Sequence, residues 1–249
     1  MYDEIVPELY RINTGTQSCL SYLVKTADKN VLIDPGVADH ADILLNDLKE
    51  LGLSVDDIDI VINTHEHVDH IGANKRFQKH SIIAADRYAA TKIISADDEV
   101  LMCRAHGHDV AGYKIDLWLM NINAITVGDW FLKILHTPGH TSGCICIYEP
   151  YKRILISGDT VFADGTISLI TRSGSYGEYI NSLARLNTMK INLLLPAHGR
   201  ISEDVETDIL KAIDNATRKH EDFLNKSALK YPGDSSIDSK MIKNMISEI

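Results

Sequence analysis

The sequence lacks several features that would assign it to a large class of proteins. No apolar segment reaches the length of about 20 residues that a membrane-spanning helix requires. The first residues show no basic segment followed by an apolar one, so we expect no secretory signal and no membrane partner. No repeat of fixed period is present, which argues against a repeat architecture.

Positive charge is also scarce. The chain has 25 Lys and Arg residues against 35 Asp and Glu residues, and its formal net charge is -10. No local run of Lys and Arg offsets this excess of negative charge. Because a phosphate backbone is gripped by clustered basic side chains, we expect no nucleic acid partner.

Cysteine is rare and shows no spacing typical of a zinc site. The four cysteines are Cys19, Cys103, Cys144 and Cys146. Cys144 and Cys146 alternate with apolar residues, as small residues on one face of a strand do. We therefore expect reduced, buried thiols and a cytoplasmic protein.

What the chain does have is an ordinary composition for one large globular domain, with 249 residues, 45% apolar and 24% charged. Apolar spacing predicts an α/β protein in two related halves. In the first half we expect strands at 9–13, 18–25, 30–34, 58–62 and 81–85, and helices at 39–52, 71–79 and 86–107. In the second half we expect strands at 124–127, 131–135, 143–148, 153–157 and 193–195, and helices at 179–189, 202–224 and after 233.

The stretch from residue 64 to residue 70 dominates the interpretation. It reads Thr-His-Glu-His-Val-Asp-His and follows an apolar run. Neutral imidazole is the commonest biological metal ligand, and a neighbouring carboxylate suits a divalent ion that takes nitrogen and oxygen donors. This stretch therefore predicts a metal site at the end of a strand.

Further candidate ligands follow other apolar runs. Each run ends just before one of four residues, Asp34, His140, Asp159 or His198. In residues 137–141 a proline restricts the backbone and a glycine permits a tight turn, which favours an inward-facing His140. Because strand ends hold loop residues within small tolerances, we expect one rim of the fold to collect these ligands.

Four ordered motifs give the sequence a resemblance to a known family. They are Thr64-His65-Glu66-His67-Val68-Asp69-His70, His136-Thr137-Pro138-Gly139-His140-Thr141, Ser157-Gly158-Asp159-Thr160 and Ala197-His198-Gly199. The chain resembles the metallo-β-lactamase superfamily, most closely its glyoxalase II-like hydrolase branch, over roughly residues 8–200. The resemblance implies an αββα four-layer sandwich over residues 1–201. We expect residues 202–249 to form a short helical extension, packed on that domain or at a dimer contact.

The resemblance also implies a ligand set for two divalent ions. His65, His67 and His140 would hold the first ion, Asp69, His70 and His198 the second, and Asp159 would bridge them. Asp34 matches a further acidic position, where a carboxylate orients a ligand histidine. Zinc is the first choice of metal, with iron and manganese as alternatives.

Two ions that share a water can produce hydroxide near neutral pH and polarise a carbonyl. We therefore predict a hydrolase that cleaves a small acyl substrate, either a thioester or a lactone. Asp69 is the predicted catalytic residue, which orients the hydroxide and passes a proton to the leaving group. Arg172 and Tyr176, in a loop rich in serine and glycine, are predicted substrate contacts.

Alternatives remain open at this point. A mononuclear iron oxidoreductase resembling the persulfide dioxygenases comes second, and a metal-dependent phosphodiesterase or nuclease third. The pair His106 and His108 has ligand-like spacing, but an intervening glycine favours an exposed loop. The apolar face of the last helices favours packing or a homodimer contact.

Overall fold

The computed structural model describes residues 1–108, 112–121 and 124–230, which form two β-sheets and seven α-helices. The first sheet has seven strands in sequence order, β1 (Tyr2–Val6), β2 (Leu9–Asn13), β3 (Leu20–Lys25), β4 (Asn30–Ile33), β5 (Ile60–Asn63), β6 (Ile82–Ala85) and β7 (Leu117–Trp118). Strands β1 to β4 pair antiparallel, whereas β4 to β7 pair parallel.

Parallel pairing requires crossover connections, and short helices provide them. Helix α1 (Ala41–Glu50) connects β4 to β5, α2 (Val68–Ile71) and α3 (Asn74–Phe77) connect β5 to β6, and α4 (Arg87–Ser95) and α5 (Asp98–Leu101) connect β6 to β7. The carboxyl ends of β4 and β5 therefore meet at one rim, where Ile33 pairs with Ile62.

The second sheet has five strands in the order β12 (Leu193–Pro196), β11 (Ile154–Gly158), β10 (Ile145–Glu149), β9 (Trp130–His136) and β8 (Ala124–Val127). Its pairs are antiparallel except for β11 with β12, which are parallel. Helix α6 (Tyr176–Asn187) supplies that crossover, and α7 (Val205–Lys230) follows β12.

Three apolar clusters separate four layers. One cluster packs the helices α1, α3 and α4 on the outer face of the first sheet. The second lies between the two sheets and includes Val31 and Ile62 from one sheet and Trp130 and Ile156 from the other. The third packs α6 and α7 on the outer face of the second sheet. The predicted αββα sandwich is therefore confirmed.

Several predicted elements differ from the structure. The predicted helix over 86–107 is interrupted, because Ala96 and Met102 adopt positive φ values of 53° and 59°. Strands β1 and β7 were not predicted. The described part of α7 packs on the second sheet through Val205 and Ile209. Residues 231–249, where the last helix was predicted, lie outside the described residues, and the division at 201 and 202 stays a prediction.

Two further expectations concern membrane-spanning segments and the cysteine thiols. None of the helices among the described residues combines the length and apolarity needed to cross a bilayer. All four cysteines are buried and free of disulfides.

Candidate metal centre

The loop after β5 carries the first candidate ligands. Strand β5 ends at Asn63 and α2 already begins at Val68, so the helix starts inside the histidine-rich stretch rather than at residue 71 as predicted. The side-chain amide of Asn63 donates to the Asn74 side chain at 3.1 Å, and Asn74 donates back at 2.9 Å. These reciprocal buried bonds fix the two ends of the loop relative to each other.

Three buried imidazoles meet in one group. The Nε2 atom of His65 lies 2.9 Å from Nδ1 of His67, and Nε2 of His140 lies 3.0 Å from the same atom. A neutral imidazole cannot satisfy both contacts by hydrogen bonding, because one nitrogen carries either a proton or a lone pair. Four nitrogen donors at 2.0–2.1 Å from a tetrahedral ion lie about 3.3 Å apart. The group therefore fits one metal ion.

A second group has mixed nitrogen and oxygen donors. The Nε2 atom of His198 lies 3.3 Å from Oδ2 of Asp69, and Nε2 of His70 lies 3.5 Å from that oxygen. The donor atoms of all three residues lie within 4.8 Å of one another. Two imidazoles and one carboxylate form a donor set that suits zinc, iron or manganese.

Asp159 lies between the two groups. Its Oδ1 atom is 3.5 Å from Nε2 of both His70 and His198, and its Oδ2 atom is 3.6 Å from Nε2 of His140. Asp159 Oδ1 and His70 Nε2 are buried and make no hydrogen bond within the described ranges. Because buried polar atoms normally make hydrogen bonds, these two atoms fit the coordination of a cation.

Two glycines allow the second sheet to bring its ligands to this place. Gly139 has a φ of 150°, and a Cβ atom there would lie 2.3 Å from the Cα atom of Tyr179 on α6. Gly158 has a φ of 52°, and its Cβ would lie 2.7 Å from Oγ1 of Thr64. Only glycine permits these close approaches, so His140 and Asp159 depend on the residue before each of them.

Asp34 supports the centre from the end of β4. Its carboxylate accepts hydrogen bonds from the Thr64 amide at 2.7 Å and the Thr64 hydroxyl at 2.6 Å. Its Oδ2 atom also lies 2.9 Å from Nδ1 of His70. A carboxylate can only accept there, so His70 carries a proton on Nδ1, and its Nε2 atom is the one that faces the second group.

The electrostatic surroundings divide the histidines into two kinds. Burial and the neighbouring imidazoles lower the pKa of His65 and His67 well below the ordinary value, which keeps them neutral ligands. Burial also lowers the pKa of His70, but the surrounding carboxylates, Asp69 first, outweigh it and raise that pKa well above the ordinary value, so a cation that binds there has to displace the Nε2 proton. Burial raises the pKa of Cys19 to about 12, so this residue stays a thiol and is a poor metal ligand.

Glu66, between the first two histidines, is a residue that the sequence reasoning left without a role. Its fully buried carboxylate accepts from Lys92 of α4 at 2.6 Å, from Thr141 at 2.8 Å and from Ser173 at 3.0 Å. One carboxylate thus joins three separate segments around the first group. The only signal in the sequence was the place of this acidic residue between two candidate metal ligands.

His106 lies nearer the centre than its predicted position in an exposed loop. Its Nε2 atom is 3.9 Å from Oδ1 of Asp69, and its side chain is 27% exposed. His108 is also largely covered, with Nδ1 3.7 Å from Oδ2 of Asp39. The turn is exposed at Gly107, as predicted, but the side chains of His106 and His108 are half-buried.

The two predicted substrate contacts lie in different surroundings. Arg172 forms an ion pair with Glu99 and lines a cleft of about 480 Å³. That cleft adjoins the first group, because its wall residue Leu169 has a carbonyl oxygen in contact with Nδ1 of His140. The Tyr176 ring instead stacks on His220 of α7, with 5.6 Å between ring centroids.

Comparison with known proteins agrees with this geometry. The model of the metallo-beta-lactamase superfamily matches residues 14–198. A probable metallo-hydrolase of Methanocaldococcus jannaschii is 33% identical over 202 residues, which cover 78% of this chain and 94% of that protein. A hydroxyacylglutathione hydrolase of Maricaulis maris is 32% identical over 59% of this chain, and the match spans 48% of that enzyme.

Solved structures show the same fold. A metallo-beta-lactamase family protein from Thermus thermophilus superposes with a TM-score of 0.76 at 20% identity, over 89% of this chain and 83% of the other. The similarity to hydroxyacylglutathione hydrolases confirms the predicted resemblance to glyoxalase II. The chain therefore belongs to the metallo-beta-lactamase superfamily of metal-dependent hydrolases.

Proposed function

We propose that this protein is a dinuclear metal-dependent hydrolase that cleaves a small acyl thioester, with a lactone as the alternative substrate. The observation that carries the proposal is the position of Asp159, whose two oxygens face the two separate donor groups. The matched relatives include hydroxyacylglutathione hydrolases and acyl-coenzyme A thioesterases, which supports a thioester. A human acyl-coenzyme A thioesterase is 25% identical over 71% of this chain.

We propose a role for each side chain from its position in the two donor groups. His65, His67 and His140 would hold one ion, Asp69, His70 and His198 the other, and Asp159 both. Bound ions would supply a nucleophilic hydroxide near neutral pH and a Lewis acid for the carbonyl. Asp34 keeps the proton of His70 on Nδ1, and Glu66 holds the loops of the first group together.

We propose Asp69 as the residue that moves a proton. Its Oδ2 atom faces His198, whereas its Oδ1 atom lies on the side of His106. An oxygen on that side is placed to orient a water and to pass a proton to the leaving thiolate. Replacement of Asp69 by alanine should lower turnover more than it lowers metal content. Unchanged turnover at full metal content would remove this role.

The identity of the metal, the cellular compartment and the oligomeric state are also proposals. Imidazole and carboxylate donors suit zinc first, with iron and manganese as alternatives. The expected partner is a small acyl compound in the cytoplasm, and a homodimer remains a proposal. Arg172 and Tyr176 stay the proposed substrate contacts. Only Arg172 lines the cleft beside His140.

A substrate panel tests the proposed function. The protein is reconstituted with zinc, iron or manganese and assayed with thioesters, lactones, β-lactams and phosphodiesters. We expect metal-dependent thioester turnover that a chelator abolishes and zinc restores. One iron per chain with oxygen uptake on a persulfide would overturn the proposal, and so would turnover confined to phosphodiesters.

A further inference from the structure

A cleft beside the metal centre has two walls of different origin. One wall is α5 and the turn after it, from Glu99 to Ala105, and the other is the segment 169–172. The second wall is bonded directly to a candidate ligand, because the amide and hydroxyl of Thr171 donate to the His140 carbonyl at 3.1 Å and 2.9 Å. The first wall continues into His106, which lies near Asp69. The cleft therefore lies beside the centre, and both of its walls are connected to it.

Each wall of the cleft contributes a long apolar side chain. Leu169 is 68% exposed, although the chain buries most of its large aliphatic side chains. Met102 lines the opposite wall. An exposed leucine and a half-buried methionine that line one cleft are suited to binding an apolar part of a ligand, since burial of each methylene contributes about 0.8 kcal/mol.

The charges around the cleft are already neutralised by one another. Glu99 pairs with Arg172 across the gap between the walls, and Asp98 pairs with Arg104 on the first wall at 2.9 Å. The Glu99 and Arg172 side chains are 62% and 74% exposed. An ion pair this exposed is weak, so it can open and re-form at little cost.

We propose that this cleft binds the unbranched apolar acyl chain of the substrate, with the pair of Glu99 and Arg172 closing over it. The inference rests on the proposed thioesterase function and adds the acyl specificity. Leu169 and Met102 contact the chain, and the paired charges offer no single cation to a substrate carboxylate. Straight-chain acyl groups are therefore preferred over acetyl and over acyl groups that end in a carboxylate.

The test uses acyl thioesters of N-acetylcysteamine from acetyl to octanoyl, together with succinyl. For the zinc-reconstituted wild type we expect kcat/KM to rise about three- to fourfold per methylene over the first few positions. Leu169→Asn should flatten this slope across the series. The matched control Leu210→Asn changes an exposed leucine of α7 and should keep the slope.

The ion pair is tested separately. Glu99→Gln and Arg172→Gln should each raise KM for octanoyl more than for acetyl, and the exchanged pair Glu99→Arg with Arg172→Glu should restore it. Lys29→Gln, in a surface pair with Asp59, serves as the control. Octanoate binding measured by calorimetry gives a readout without turnover, and it should weaken in Leu169→Asn.

The outcomes separate the two proposals. A wild type that hydrolyses thioesters with no dependence on chain length, or a slope that Leu169→Asn leaves intact, overturns the inference alone. A preference for succinyl over butyryl also overturns it, because Arg172 would then bind a carboxylate. Failure to hydrolyse any thioester overturns the thioesterase function on which the inference rests, and the acyl specificity with it.

Discussion

The metal centre and the cleft beside it are held together in different ways. Around the centre, Asp34 and Glu66 are buried carboxylates, and each contacts several groups from distant segments. Around the cleft, Glu99 is exposed and pairs with a single exposed arginine. Buried networks hold ligands within small tolerances, whereas exposed pairs contribute little to stability. The candidate metal centre is thus held more firmly than the cleft beside it.

The largest effect is expected where both donor groups depend on one side chain. Replacement of Asp159 by alanine removes the carboxylate that faces both groups, so we expect loss of at least one ion and turnover at background. Metal analysis and thioester assays on the same preparation measure this. A variant that keeps two ions and full activity would show that the carboxylate has no bridging role.

The second-largest effect is expected for Glu66, on the free energy of unfolding. Glu66→Ala leaves Lys92 and two hydroxyls without their buried partner, and such losses cost about 3 kcal/mol in the free energy of unfolding. Denaturant unfolding of the metal-loaded protein measures it. Glu50→Ala, at an exposed position of α1, is the control and should change little. An equally small effect for Glu66 would contradict the buried network.

Replacement of Asp34 should lower the metal affinity rather than the free energy of unfolding. Asp34→Asn keeps the size of the side chain but weakens the acceptor for His70 Nδ1, and such changes lower metal affinity or activity about 10- to 100-fold. Competition with a chelator measures the affinity. Asp28→Asn, in an exposed turn, provides the comparison. Affinity equal to that of the wild type would exclude an orienting role.

The smallest effect belongs to the cleft. Glu99→Gln should change the free energy of unfolding by less than about 1 kcal/mol, because an exposed ion pair is screened by water. Thermal unfolding at low and high salt checks this expectation. A loss as large as that of Glu66→Ala would mean that the cleft is as firmly held as the centre, and the contrast between them would fail.

The sequence indicated the residues that meet at the candidate metal centre more readily than those of the cleft. Candidate ligands are recognisable by type, and each follows an apolar strand, so short patterns pointed to His65 and Asp159. The breaks at Ala96 and Met102 occur at residues with no glycine or proline signal, which is why one continuous helix was predicted there. They also place His106 beside Asp69, a contact that no local pattern encodes.

Long-range partners were equally out of reach of local patterns. Glu66 meets Lys92 and Ser173, which lie 26 and 107 residues away in sequence. Neither residue type is unusual on a helix or in a loop, so nothing marks them before the chain is folded. The short strand β7 has only two residues and lacks the alternation that predicts a strand.

The central claim is that seven side chains hold a pair of ions. The most direct measurement is anomalous diffraction from crystals of the zinc-reconstituted protein, combined with metal analysis of the same sample. We predict two ions per chain about 3.5–4 Å apart, with Asp159 bound to both. The first ion should lie among His65, His67 and His140, and the second among Asp69, His70 and His198. A single ion at full reconstitution, or an ion away from Asp159, would contradict it.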